Sequence, residues 1–229
     1  MNMKIAIIPA RGGSKRIPRK NIKDFLGKPI IAYSIEAALQ SNLFDEVMVS
    51  TDDEEIAEIA RSYGAKVPFL RSLKNSNDFA TTADVLLEVV DKYKEKFDVD
   101  IEIACCIYPT SPLIKTVHLQ EAEQLIREND FDSVFPVVAF SYPVWRGISL
   151  NNQSLVSMQW PEFYNSRSQD LKILYHDAGQ WYWFKTDSLQ KNKKLYMDKS
   201  YGFILKDTDV QDIDNETDWK LAELKFGLL

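Results

Sequence analysis

Lys4-Ile5-Ala6-Ile7-Ile8-Pro9-Ala10-Arg11-Gly12-Gly13-Ser14-Lys15-Arg16-Ile17-Pro18-Arg19-Lys20-Asn21 passes from an apolar run straight into a basic loop. Lys4–Ile8 is apolar at alternate and intervening positions alike, as expected of a first strand buried on both faces of a parallel sheet. In such sheets ligands bind beyond the carboxyl ends of the strands, which is where this loop begins. Gly12 and Gly13 allow a tight turn and present amides to phosphate oxygens, and Ser14 adds a hydroxyl donor. Arg11, Lys15 and Lys20 would neutralise a triphosphate, and Pro18 stiffens the far limb. Neither G-x-x-x-x-G-K-[ST] nor G-x-G-x-x-G occurs, so this is not a Walker A loop or a dinucleotide fingerprint. The stretch either binds an anion or is a solvated basic face.

Working outward, helical and strand patterns alternate. Pro29 opens a helix with apolar positions Ile30, Ile31, Tyr33, Ile35, Ala38 and Leu39. Glu46–Ser50 reads as a strand, and Asp52/Asp53 cap a helix over Glu54–Tyr63 that Gly64 closes. Lys66–Leu70 is a third short strand, Thr81–Phe97 a helix, and Ile101–Tyr108 the most apolar strand. A helix over Val117–Asn129 and a strand over Ser133–Ala139 follow. The alternation implies an α/β fold with a doubly wound, mostly parallel sheet. From about 140 to 180 the rhythm breaks into prolines, aromatics and polar residues. We read an insertion of short strands and loops that covers the sheet edge or meets a partner subunit. Gln180–Phe184 and Gly202–Lys206 are strands again, Asp209–Asp214 is a short acidic strand end, and Asn215–Phe226 is a final helix with a near capping box. The whole of 1–229 is expected to form one domain carrying that insertion.

Composition bounds the function. The chain has 229 residues, ample for one core, with 45% hydrophobic and 27% charged residues. A formal charge of -6 argues against holding nucleic acid by overall electrostatics. Cys105 and Cys106 are adjacent in a strand pattern and point to opposite faces, a poor geometry for a mutual disulfide. With no signal-peptide layout at the N-terminus and no apolar run near the ~20 residues of a membrane span, the expectation is a cytoplasmic protein. His118 and His176 are too few and isolated for a zinc site.

Other polar groups sit where a strand ends. Asp212 and Asp214 are two residues apart, so on a strand both would face one hard cation such as magnesium; before a helix, acids also serve as caps or solvated turns. Arg71, with Thr81 and Thr82 after it, reads a base or ribose, or is a surface residue beside a helix cap. Tyr108-Pro109-Thr110-Ser111-Pro112 lines a cleft or is a rigid turn. Arg167 suits a forked bond to a carboxylate, and His176 with Asp177 suits proton transfer or hydroxyl recognition, unless His176 is merely structural. Trp181, Tyr182 and Trp183 read as core or interface aromatics.

Ile7-Ile8-Pro9-Ala10-Arg11-Gly12-Gly13-Ser14-Lys15 with Lys20-Asn21 resembles the N-terminal signature of cytidylyltransferases that activate sialic-acid-like sugars. Ser50-Thr51-Asp52, Arg71, Pro109-Thr110-Ser111-Pro112 and Asp212-Ile213-Asp214 follow in that family's order, so the resemblance spans nearly the whole chain. It implies transfer of CMP from CTP to the anomeric hydroxyl of a nine-carbon 2-keto acid sugar, with release of pyrophosphate and Mg²⁺ as cofactor. Nucleotide contacts are implied for Ala10, Arg11, Gly12, Gly13, Ser14, Lys15, Lys20, Asn21, Arg71, Ala80 and Thr82. Catalytic charge is implied for Arg11, Lys15 and Lys20, and metal ligation for Asp212 and Asp214. Sugar contacts are placed at Tyr108, Thr110, Ser111, Arg167, Gln169, Tyr175, His176, Asp177 and Gln180. The family is typically dimeric, with the insertion reaching the neighbouring cleft.

The chain departs from the usual CMP-sialate pattern. Tyr108 stands where a glutamine is usual, Tyr175 replaces an arginine, and Asp177-Ala178-Gly179 replaces an asparagine-glycine pair. Ser166-Arg167-Ser168-Gln169-Asp170-Leu171 with Tyr175-His176-Asp177-Ala178-Gly179-Gln180 is instead similar to the branch that activates pseudaminic acid. The competing readings are the same chemistry on neuraminate, legionaminate or an octulosonate, a non-catalytic CTP-binding protein, and a nucleic-acid binder.

Overall fold

The computed structural model describes residues 2–228. The chain begins with β1 (Asn2–Pro9), a short hairpin β2 (Asp24–Phe25) and β3 (Lys28–Pro29), α1 (Ile30–Gln40), β4 (Glu46–Ser50) and α2 (Glu54–Ser62). Then come α3 (Thr82–Phe97), β5 (Asp100–Ile107), α4 (Thr116–Glu128) and β6 (Ser133–Ala139). A hairpin of β7 (Ile148–Leu150) and β8 (Val156–Met158) precedes β9 (Tyr175–Asp177), β10 (Trp181–Lys185), α5 (Thr186–Asn192), β11 (Ser200–Ile204) and α6 (Glu216–Phe226).

The main sheet has the order β11-β6-β10-β5-β1-β4, with β9 added to β6. Pairs β1–β4, β1–β5 and β6–β11 are parallel, while β10 runs antiparallel to β5 and β6. Strand alternation explains why both faces are apolar. Ala6, Ile8, Cys105 and Ile107 pack with α1, α2 and α4 on one face. Ile5, Ile7, Ala104 and Cys106 pack with α3 and α5 on the other. Each such Ile, fully withdrawn from water, contributes about 1.5–3 kcal/mol. Cys105 and Cys106 therefore lie on opposite faces as unpaired thiols, and burial pushes both up in pKa.

From β1 the chain crosses to β4, then returns past β1 to β5. The reversal leaves a crevice beyond the carboxyl ends of β1 and β5, where the loop at Ala10 and the turn at Tyr108 both emerge.

Two expected strands do not form. Lys66–Leu70 makes a single bridge, Met48 to Lys66, because Pro68 has no N–H to continue the ladder. Asp209–Asp214 is irregular after a 3-10 turn at Asp207–Asp209, so Asp212 and Asp214 do not share a strand face. The Asn215 cap is as expected: its Oδ1 accepts from the Thr217 and Asp218 amides at 2.8 and 3.1 Å, and Asp218 accepts from the Asn215 amide. Helix α5 has no counterpart in the sequence reading, whereas β9 falls among the short strands expected between 140 and 180.

Candidate active site

The crevice is a cleft of about 690 Å³ lined by loop residues Arg11, Ser14, Lys15, Arg16, Lys20 and Asn21, by Arg71, Ala80 and Thr82, by Tyr108 and Thr110, and by Asp212 and Asp214. Residues up to 205 positions apart in the chain thus face one space, from Pro9 to Asp214.

The loop's shape comes from its own side chains. Gly12 N–H donates to Asp52 Oδ1 at 3.0 Å, so this amide is already engaged rather than turned to a ligand. A Cβ on Gly12 would lie 2.6 Å from Asp53 Oδ2, whereas Gly13 has open space around it. Close approach explains the first glycine; the second leaves its backbone accessible. Asn21 is buried and its Nδ2 donates to the Arg11 carbonyl at 2.9 Å, bracing the two limbs of the loop. Arg19 sits at φ 55°, a conformation rare outside glycine, and its guanidinium forks onto Asp53 and Glu55. That anchor fixes the 3-10 turn Lys20–Ile22 that follows.

The cations of the loop are paired in two groups. Arg11 Nη1 donates to Asp78 Oδ1 at 2.8 Å and to the Asn77 carbonyl at 3.1 Å, and Lys15 pairs with the other Asp78 oxygen. These bonds hold the Asp78 carboxyl below its usual pKa. At the far end, Arg16 bridges to Asp214 Oδ2 at 2.6 Å, and Lys20 Nζ donates to the Ile213 carbonyl at 2.6 Å. Burial lowers the Lys20 pKa, opposed by Asp214 and Asp212. Asp212 opens to solvent through the cleft, yet the protein around it, and then Asp214, raise its pKa. Two carboxylates that crowd one another among cations form an oxygen-donor pair suited to a hard divalent ion with phosphate ligands. Among the described residues no group of three or more His, Cys, Asp or Glu is arranged around a metal position.

On the opposite wall, Arg71 is buried, with Nε donating to Ser50 Oγ at 3.1 Å and Nη2 donating to the Ser50 carbonyl. Thr81 caps α3: its hydroxyl accepts from the Asp84 amide, and Asp84 accepts from the Thr81 amide. Thr82 points to the cleft and bonds the Tyr108 hydroxyl at 3.1 Å. Desolvation pushes the Tyr108 phenol up to about 12, so it is a neutral hydrogen-bonding group.

The remaining expected residues are not brought to this cleft. Ala10 is fully buried, and Ser111 is buried with Oγ donating to the Gly179 carbonyl at 3.4 Å. Arg167 is exposed and forks onto Asp170 at 2.7 and 3.3 Å, and Gln169 and Tyr175 are exposed too. His176 is exposed, with its ring 5.0 Å from that of Phe140. Asp177 accepts from Gly179, Tyr182 and Tyr196, and Gln180 is buried beneath the acidic segment. Arg16, Arg19, Asp52 and Asp78 were missed in the sequence. The basic run holds a signal for the two arginines, but nothing local marks Asp78 as the partner of Arg11 and Lys15.

Comparison with known proteins fits this geometry. A family model described as cytidylyltransferase matches residues 5–212. The pseudaminic acid cytidylyltransferase of Campylobacter jejuni is 42% identical over 225 residues, covering 97% of this chain and 95% of that protein. The CMP-N,N'-diacetyllegionaminic acid synthase of Legionella pneumophila is 36% identical, covering 96% and 94%. The structure of CMP:2-keto-3-deoxy-manno-octonic acid synthetase complexed with CTP has a TM-score of 0.72 over 99% of both chains at 21% identity, a likeness of fold. The chain belongs to the cytidylyltransferase family of nucleotidyltransferase enzymes.

Proposed function

We propose that this enzyme transfers CMP from CTP to the anomeric hydroxyl of pseudaminic acid, giving CMP-pseudaminate and pyrophosphate. The observation that carries the choice of sugar is the 42% identity, over nearly the full length of both chains, to pseudaminic acid cytidylyltransferases. The departures at Tyr108, Tyr175 and Asp177 support it from within the sequence.

The triphosphate lies along the loop, with Arg11, Lys15 and Lys20 facing its oxygens and Asn21 holding the loop's limbs together. The cytidine lies toward Arg71, Ala80 and Thr82 on the other wall. The sugar hydroxyl attacks the α-phosphorus in line. An O–P bond forms to the anomeric carbon's oxygen, the bond from the α-phosphorus to the bridging oxygen breaks, and one proton is released. Positive charge fixed before the reaction stabilises the charge that develops on the phosphates, which is the main catalytic term expected of such a site. Asp212 and Asp214 would hold Mg²⁺, which when bound shields phosphate charge. Arg167 is assigned to the sugar carboxylate once it leaves Asp170, with Gln169, Tyr175 and His176 beside it.

We place the reaction in the cytoplasm, in keeping with two unpaired buried cysteines; among the described residues no helix is long and apolar enough to cross a membrane. We also take 1–229 as one domain whose 140–180 insertion joins two copies. Tyr142, Ile148, Val156 and Tyr164 are exposed there at 85%, 64%, 66% and 69%, an apolar surface of the kind a partner covers. With CTP and a panel of pseudaminate, N-acetylneuraminate, legionaminate and octulosonate, pyrophosphate release is expected to be fastest with pseudaminate. Equal or faster release with another sugar overturns the choice, and CTP binding without release from any sugar overturns the chemistry.

A further inference from the structure

Segment 207–214, which carries Asp212 and Asp214, has no strand ladder and only one 3-10 turn. Val210 and Ile213 anchor it in the core, and the backbone between them is held by side-chain bonds from other elements. Lys225 Nζ donates to the Asp207 and Val210 carbonyls, at 2.7 Å each. Lys115 Nζ pairs with Asp209 Oδ1 at 2.9 Å. The third support comes from the turn between β9 and β10. Gln180 is only 2% exposed, and its Nε2 donates to the Asp209 carbonyl at 2.7 Å. Its own carbonyl accepts the Tyr108 amide at 2.8 Å. One buried residue thus ties the cleft end of β5 to the acidic segment.

The turn itself is pinned by Asp177. Oδ1 accepts from the Gly179 amide at 2.9 Å, and Oδ2 accepts from the Tyr182 and Tyr196 hydroxyls, at 2.6 Å each. With these three donors the carboxylate is engaged within the protein. Gly179 stands at φ 63° and leans on the metal-side acid: a Cβ there would lie 3.8 Å from Asp212 Oδ1.

We propose that Gln180, steadied by Asp177, is a positioning residue that sets the Asp212 carboxylate for its divalent cation, and does not contact the sugar. The inference rests on the metal role given above to Asp212 and Asp214. Partners that orient a metal ligand typically change metal affinity or activity by about 10- to 100-fold when removed.

The test compares wild type, Gln180→Met and Asp212→Ala. Methionine keeps the length and apolar bulk of Gln180 but removes the donor. Mn²⁺ binding to the protein is followed by the paramagnetic resonance signal of the free ion, and KM for pseudaminate is measured at saturating Mg²⁺. Gln180→Met is expected to weaken Mn²⁺ binding by about tenfold while the sugar KM stays within about twofold of wild type. Unchanged Mn²⁺ affinity, or a raised sugar KM at saturating Mg²⁺, overturns the positioning role. Asp212→Ala separates the two layers. If it leaves Mn²⁺ binding intact, the metal assignment itself fails; if it abolishes binding while Gln180→Met does not weaken it, only the positioning role fails. Should Gln180→Met not fold by circular dichroism, Asp177→Asn takes its place with the same two outcomes and an expected loss of about tenfold.

Discussion

The cleft at the ends of β1 and β5 and the segment from Arg167 to His176 differ in how their charges are held. In the cleft, side chains from the first 85 residues, from the turn after β5 and from the chain's last quarter converge, and each loop cation has a partner from another element. In the second region Arg167 pairs with Asp170, its own neighbour, and the surrounding residues are exposed. The half of the site proposed for the nucleotide is thus assembled by the sheet's topology, whereas the residues proposed for the sugar are not brought together in one chain. Groups fixed to rigid elements should respond to mutation through chemistry, and groups on exposed loops through binding.

The largest expected effect probes the first half of that contrast. Asp212→Ala/Asp214→Ala should reduce pyrophosphate release by at least ~10³-fold at fixed Mg²⁺, since it removes both metal-side carboxylates. A loss of less than tenfold would move the acidic pair out of the reaction. On the second region, Arg167→Ala should raise the sugar KM by about tenfold or more and leave the CTP KM alone, since hydrogen bonds to charged groups are worth ~1.5–3 kcal/mol. A change confined to the CTP KM would mean that Arg167 belongs to the nucleotide half.

Asp78 sharpens the contrast from within the cleft. It engages the same two cations that the triphosphate would use. Asp78→Asn should therefore tighten CTP binding by roughly two- to fivefold at low ionic strength, with a smaller gain in high salt. Calorimetric titration that shows weaker binding would make Asp78 a contributor to the nucleotide site rather than a competitor for it.

The smallest effect concerns the loop that carries Asp78. Burial opposes ionisation of Glu88, but bonds from Lys92, Ser72 and Asn75 outweigh it and bring its pKa from 4.5 to about 2. A depressed carboxylate pKa adds stability above pH 4.5 that is lost as pH falls toward 2. Glu88→Gln should lower the melting temperature near neutral pH, and its difference from wild type should shrink between pH 4.5 and 2. A constant difference across that range would contradict the linkage.

Much of the fold was legible because the sheet is buried on both faces. Val47 and Val49 in β4, and Ala104 to Ile107 in β5, have no polar alternation that would point to a solvated face. Sequence and structure differ where the apolar pattern outruns hydrogen bonding, as at Pro68, and where an acidic segment expected as a strand end is irregular, as at Asp209–Asp214. Helix α5 is seven residues long, too short for periodicity to register. In the site, strand-end position marked Arg11, Lys15 and Tyr108. The cross-chain partners were not legible: Asp78 lies 63 residues from Lys15, and Gln180 lies 29 from Asp209. Gln180, placed at the sugar by resemblance, is 2% exposed and bonded to the Asp209 carbonyl, which supports the positioning role proposed for it.

The central claim is that the Arg11–Asn21 loop supplies the fixed charge for nucleotidyl transfer, and Lys20→Ala tests it most directly. With CTP, pseudaminate and Mg²⁺ saturating, pyrophosphate release should fall by at least ~10²-fold, since Lys20 would act on charge that develops only during the reaction. Near-normal release from that variant would contradict the account.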